Sequence, residues 1–269
     1  MDLNQLLKVP MALPSIPKVI ARLISEFDRP APDLRALNQF ISTDPALTAR
    51  LLQLANSGYF KLSGQIHSVS EALAILGLSH VRALVVAAAS ETSLKAVPGI
   101  QLQQFWVYSL NVARVARALA RVVRQNQQAA FTCGLLHAVG EITLHAAMPV
   151  EMATLNVELP PLDLRRARAE QRVLNLNFAH VSAGLAGKWL LPQTMIDALA
   201  GQAQPFDNGV YEPLAGIVHL AVWRARAREA NLSEREMAVS FPGAVGEILT
   251  LDIDLVLQQD PIDWNRRRK

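Results

Sequence analysis

The chain has a single cysteine, Cys133, in 269 residues. No internal disulfide can form, which fits a reducing compartment, and a cytoplasmic location is expected. Aromatic residues make up only 6%. They do not interleave with the basic clusters at Arg165, Arg166 and Arg168, at Arg224, Arg226 and Arg228, or in the tail Arg266–Lys269. Base-stacking platforms are therefore not expected. Charge of one sign is also scarce: 26 Lys and Arg against 23 Asp and Glu leave a net of +3. That is too little to mark a nucleic-acid binder, and at helical spacing the basic clusters read as solvated faces. The longest unbroken apolar run, Ala83–Ala89, falls far short of the ~20 residues that cross a bilayer. Membrane insertion is not expected, and the first residues lack the pattern of an export signal. Strand signals are almost absent, with no alternating runs of Val, Ile and Thr.

What is present is a globular composition, 51% apolar and 18% charged, long enough for one large domain or two small ones. Nearly every segment has helical periodicity. Asp44-Pro45 sets an N-cap before a first-turn proline and predicts a helix over Pro45–Ser57. Asp33 predicts a start for Leu34–Ile41. Ser68 and Glu71 have capping-box spacing and predict Val69–Leu76, closed by Gly77; Ser233 and Glu236 repeat the box. Val81–Ala89 is the most apolar stretch and is expected as a buried helix. Further helices are expected over Gln103–Val123, Gln127–Val139, Val181–Leu190 and Pro213–Ala230, with an interruption at Pro160-Pro161 and a surface turn at Pro205–Gly209. The result is an all-α globule without tandem repeats.

Several segments, taken in order, resemble one family. They are Leu13-Pro14-Ser15-Ile16-Pro17, Asp44-Pro45-Ala46-Leu47-Thr48-Ala49-Arg50-Leu51-Leu52, Leu54–Phe60, Ile66–Leu73 and Leu76-Gly77-Leu78. Phe105-Trp106-Val107-Tyr108-Ser109-Leu110, Gly134-Leu135-Leu136-His137 and Trp189-Leu190-Leu191-Pro192 complete the set. The ordered set is similar to the HD-related output domain, HDOD, of bacterial signalling proteins, from about Leu13 to about Phe206. The resemblance implies a two-lobed helical fold, with an N-terminal lobe over about 1–100 and a lobe similar to HD-domain phosphohydrolases over about 101–206. Residues 207–269 are expected as helices packed on that second lobe, because Leu214–Arg226 is amphipathic. It also implies a regulatory module whose input arrives from another molecule.

The resemblance also locates a metal centre that this chain lacks. An HD phosphohydrolase holds its metal with an early His, a His-Asp doublet and a late Asp. Those positions correspond here to Tyr108, to His137-Ala138, and to Val222 or a neighbour. Alanine has no donor atom, and losing the carboxylate removes both charge neutralisation and a bridging ligand. No enzyme activity and no cofactor are expected. His137, His180 and His219 are vestigial metal candidates; a buried His bonded to a carbonyl is the plainer reading of His137, and a structural or exposed histidine that of His180 and His219. His137, Glu141 and His145 are spaced by four and would share a face on an unbroken helix, although Gly140 lies between and is expected to end or kink it. Cys133 and His137, four apart, imitate a nucleophile and its base; apolar neighbours favour an inert thiol. The expected role is regulation through another signalling protein, with Tyr59, Phe60 and Leu62 of the Gly58–Gln65 loop as the candidate face. The alternative is a sensor for a small ligand or nucleotide in a cleft near Tyr108, Arg114, His137 and His180, with Arg117 a further candidate for meeting a phosphate. A residual metal-dependent phosphohydrolase is the third reading.

Overall fold

The computed structural model describes residues 2–9, 13–62, 64–91, 96–207, 211–259 and 261. The tail Arg266–Lys269 and the end of the expected turn at Pro205–Gly209 lie outside them. Among the described residues every regular element is helical, and there are no strands.

The N-terminal lobe comprises α2 (Pro17–Phe27), α3 (Leu34–Ile41), α4 (Pro45–Ala55) and α5 (Val69–Glu91), and α5 packs on the other three. The start signals are local hydrogen-bonding chemistry. Asp33 Oδ1 accepts from the Arg35 N–H at 2.8 Å, and Asp44 Oδ1 accepts from Leu47 N–H at 3.0 Å. Asp44 also reaches across sequence, its Oδ2 accepting from Ile16 N–H at 2.6 Å. One buried carboxyl thus caps α4 and fixes the entry to α2. Burial pushes its pKa up to about 6, against the pull of those backbone bonds. Replacing Asp44 with Ala would strip a cap and orphan a second amide, so we expect a loss of about 2–4 kcal/mol in urea unfolding.

Helix α4 ends two residues earlier than its apolar pattern, at Ala55. The Asn56 side chain is the reason: its Oδ1 accepts from Gln65 and Ile66 N–H, and its Nδ2 donates to the Ile66 carbonyl. Asn56 therefore closes the Gly58–Phe60 3-10 turn and its loop onto α4. Within α5, Gly77 takes φ 68° and ψ 169°, a conformation that favours glycine, and it separates Val69–Leu76 from the turns that follow. Val69–Ser90 is apolar and long enough by composition to cross a membrane. Gly77 breaks it, and the part after the break spans only about 21 Å at 1.5 Å per residue.

The expectation of a buried helix at Val81–Ala89 is corrected by the structure. Val81, Val85 and Ala88 are buried, whereas Arg82, Ala83, Val86 and Ala87 are exposed. Alanine and valine make the whole stretch apolar, but only one stripe has a partner to pack against.

The second lobe is built on α6 (Leu102–Val122), α7 (Gln127–Leu136), α8 (Val139–Ala147), α9 (Pro149–Glu158), α10 (Arg166–Leu174), α11 (Phe178–Lys188), α12 (Gln193–Gly201) and α13 (Pro213–Glu229). Helix α6 packs on α7 and α13, and α11 packs on α8 and α12. The short α14 (Glu234–Ser240), α15 (Gly243–Leu249) and α16 (Ile253–Gln258) follow, and α15 and α16 pack on α13. Trp223 on α13 donates to Ser240 Oγ at 3.2 Å and meets the Phe241 ring edge-to-face. At the other end, α1 (Leu3–Lys8) packs on α11. Residues 3–8 therefore sit on the second lobe, not on the first lobe to which their place in sequence assigned them.

Candidate functional site

Two glycines set the frame of the second lobe's centre. A Cβ on Gly134 of α7 would stand 2.7 Å from Ala113 Cα on α6, and one on Gly140 of α8 would stand 2.1 Å from the Phe178 carbonyl oxygen on α11. Both helix pairs cross in backbone contact, which no larger residue allows. The chain between them breaks at His137 and Ala138: α7 ends at Leu136 and α8 begins at Val139. This break is clamped from the side. The His137 carbonyl accepts from Ser182 Oγ at 3.0 Å and Gln202 Nε2 at 2.8 Å, and Gly140 N–H donates to Ser182 Oγ at 2.9 Å.

The His137 side chain is wholly buried. Its Nδ1–H donates to the Gly134 carbonyl at 2.7 Å, and its Nε2 has no hydrogen-bond partner among the described residues. Burial pulls its pKa down to about 3, so the ring is neutral. It meets Tyr108 edge-to-face at 5.3 Å between centroids. Tyr108 is equally buried, and burial raises the pKa of its phenol. Its oxygen accepts from Arg226 Nε at 3.1 Å. Arg226 comes from α13, one turn beyond Val222. Its Nη1 donates to the Asp163 carbonyl at 2.6 Å, and its guanidinium lies over the Phe178 ring at 5.7 Å.

A second guanidinium lies deeper. Arg166 is 0% exposed, as is Glu170, and Glu141 and His145 are each 1% exposed. Arg166 Nε donates to Glu170 Oε1 at 2.8 Å, its Nη2 pairs with Glu141 Oε1 at 3.1 Å, and its Nη1 donates to the Leu159 carbonyl at 2.5 Å. The other Glu170 oxygen accepts from Phe178 N–H at 2.8 Å. Burial raises the pKa of both carboxyls, and their mutual proximity raises that of Glu170 further. One guanidinium cannot neutralise two buried carboxylates, so the pair retains a proton. Both Glu170 oxygens accept N–H donors, whereas Glu141 Oε2 has no hydrogen-bond partner among the described residues. His145 Nδ1–H donates to the Pro98 carbonyl at 2.7 Å, leaving Nε2 toward Glu141 at 3.2 Å.

These donors do not suit a divalent ion. Among the described residues no three His, Cys, Asp or Glu side chains converge in a metal-binding group. Ala138 offers no ligand, the Tyr108 oxygen already holds a guanidinium, and Val222 stands on α13 facing a cavity instead of carrying a carboxylate. Glu141 and His145 do share a face, as their spacing predicts, but the cation between Glu141 and Glu170 is Arg166. His137 is not on that face, because the helix breaks at 137–138. Gly140, expected to end or kink the helix, instead sits inside α8 where α11 presses closest.

The expected cleft of Tyr108, Arg114, His137 and His180 does not form. Tyr108 and His137 are sealed in the core, while Arg114 and His180 lie at the surface on α6 and α11. Arg117 stacks over Phe131 at 5.1 Å. His219 is half-buried, its Nδ1–H donating to the Gln202 carbonyl at 2.7 Å, and it lines a cavity with Val222 and Arg226. Cys133 donates to the Met195 carbonyl and does not meet His137; burial pushes its thiol pKa up. In the first lobe Tyr59 is 81% exposed, but Phe60 and Leu62 are half-buried and pack on the core, with Phe60 edge-to-face on His80. Of the three, only Tyr59 is fully presented.

The two arginines that organise this centre were read from sequence as solvated. That reading is corrected for Arg166, Arg224 and Arg226, which are buried. The i,i+4 spacing of Arg166 and Glu170 was the available signal for the first. Nothing local distinguishes Arg226 from its neighbours.

The profile of the HDOD domain matches residues 13–205. An uncharacterised protein of Treponema pallidum is 25% identical over 217 residues, covering 78% of this chain and 41% of its own length. This chain thus spans about two fifths of that curated relative. Two crystal structures of the MmoQ response regulator from Methylococcus capsulatus superpose with TM-scores of 0.75 and 0.72, at 24% and 28% identity; each covers 94–95% of this chain and 99% of the other. An HDOD domain protein of unknown function from Geobacter sulfurreducens gives a TM-score of 0.53 at 23% identity, with 96% of this chain and 91% of the other covered.

Proposed function

The chain belongs to the HDOD domain family, and from that premise we propose that it is a signalling module that works by binding another protein and performs no hydrolysis. Its likeness to a response regulator supports the signalling role. One observation carries the non-catalytic reading: the corresponding metal positions hold Tyr108, Ala138 and Val222, and Arg226 supplies the cation at Tyr108. An arginine held by a phenol and a carbonyl is a permanent charge with directional donors, and it can neither bind nor activate a water as a metal does. The exposed Tyr59 is the proposed contact for a protein partner, in the cytoplasm.

Metal content of the purified chain, measured by mass spectrometry after incubation with manganese or iron, tests this reading. Substoichiometric metal with no hydrolysis of a phosphodiester above background is the expected result. One or more tightly held ions per chain, with hydrolysis lost in His137→Ala, would overturn it.

A further inference from the structure

The outer side of the Arg226 region opens into a cavity of about 320 Å³ between α10, α13 and the turn before α15. Its lining is one-sided in charge. Arg168, Arg226 and His219 line it together with Arg165, and no Asp or Glu side chain does so among the described residues. Arg165 is already paired, since Asp163 holds it at 3.1 Å. Arg168 is exposed and forms no ion pair among the described residues. The partners of Arg226 are a phenol oxygen and a carbonyl, both neutral, so neither cancels its charge. Those same bonds, with the Phe178 ring beneath, hold its guanidinium still.

His219 adds a third polar group. Its Nδ1–H is committed to the Gln202 carbonyl, so any protonation places the second N–H at Nε2. Burial, Arg226 and Arg168 together lower its pKa, and an anion placed among these groups would reverse the last two effects. Apart from Gln202 and Ser240, the rest of the wall is apolar and aromatic, including Phe178, Val222 and Trp223. A recess lined by cationic donors and aromatic side chains has the chemistry of an organic oxyanion site.

We propose that this cavity binds a small phosphomonoester, its dianionic phosphate held by Arg168, Arg226 and His219 and its planar or apolar body against Trp223 and Val222. The site is distinct from the sealed Tyr108–His137 contact, which no ligand reaches. It does not depend on the protein-partner reading, and it does not require hydrolysis.

Phenyl phosphate tests it, with inorganic phosphate and benzoate as comparison probes, by calorimetry on the whole chain. Phenyl phosphate is expected to bind more tightly than either: phosphate lacks the ring and benzoate lacks the second charge. Arg168→Ala removes an exposed side chain and is expected to leave the melting temperature unchanged. It should weaken phenyl phosphate about tenfold, the effect of one lost charge-assisted hydrogen bond. Trp223→Leu, folding confirmed by circular dichroism, should abolish the preference over inorganic phosphate. Absence of binding at millimolar phenyl phosphate, or equal binding by Arg168→Ala, would overturn the proposal. Equal binding of benzoate would overturn the dianion assignment. Release of phenol would uphold the site while overturning the non-catalytic reading, so the two fail separately.

Discussion

Arg166→Ala is expected to cost about 3–5 kcal/mol, enough to unfold a chain of ordinary stability. The reason is not the loss of an ion pair as such. Removing the guanidinium leaves Glu170 0% exposed and without the Nε donor 2.8 Å away, beside a second carboxyl, so it must either stay an unpaired buried charge or take up a proton. It also frees the Leu159 carbonyl that Arg166 holds at the end of α9. Glu141→Gln is the informative contrast. If Glu141 carries the shared proton, a neutral amide can keep its oxygen toward Arg166 Nη2, and the cost should stay below about 1.5 kcal/mol. Urea unfolding of both variants at neutral pH decides the matter; equal large losses would place the proton elsewhere. Raised carboxyl pKa values also mean that the folded state binds more protons than the unfolded chain. The contribution of the pair is therefore full below the ordinary glutamate value of 4.5 and declines as pH rises through the raised values.

The opposite pH dependence is expected from His137. The folded chain keeps this imidazole neutral down to about pH 3, whereas the unfolded chain takes up a proton near 6.5. Below 6.5 the unfolded state binds more protons, so stability present above that pH is lost as pH falls toward 3. The full loss is on the order of 4–5 kcal/mol, of which about 2 kcal/mol falls between pH 6.5 and 5. His137→Asn keeps an N–H for the Gly134 carbonyl and removes the titrating ring. Its stability should be lower at pH 7 but flatter across this range. The measurement is urea unfolding at pH 6.5 and pH 5 for both proteins. Asp44, whose raised pKa of about 6 works in the other direction, is common to both and cancels in the difference. Equal slopes for the two proteins would show that His137 is not the group that titrates on unfolding.

The N-terminal lobe was the most legible part of the chain. Asp33, Asp44 and the Ser68–Glu71 pair announce helix starts because a cap bonds amides two or three residues away, within the same short segment. Gly77 announces a break for an equally local reason, its backbone conformation. The second lobe was legible where its family frame lies. It was illegible at its centre, where the partners are remote: Arg226 is 118 residues from Tyr108, and His145 is 47 from Pro98. The exposed half of Val81–Ala89 and the sealed Tyr108–His137 pair have the same explanation. Burial is a property of what packs against a residue, and hydrophobicity alone does not fix it.

The amino-acid sequence by itself determined the helical class and the capped helix starts, which follow from residue type and spacing inside a few turns. The family frame came from the ordered set of segments, and the resemblance alone marks Ala138 as standing where a carboxylate is expected. Only the tertiary structure decided what surrounds Tyr108 and Glu141. Two arginines that look solvated in sequence are carried into the core by α10 and α13, where a low-dielectric interior makes each guanidinium seek a carboxyl, a phenol or a carbonyl as its partner.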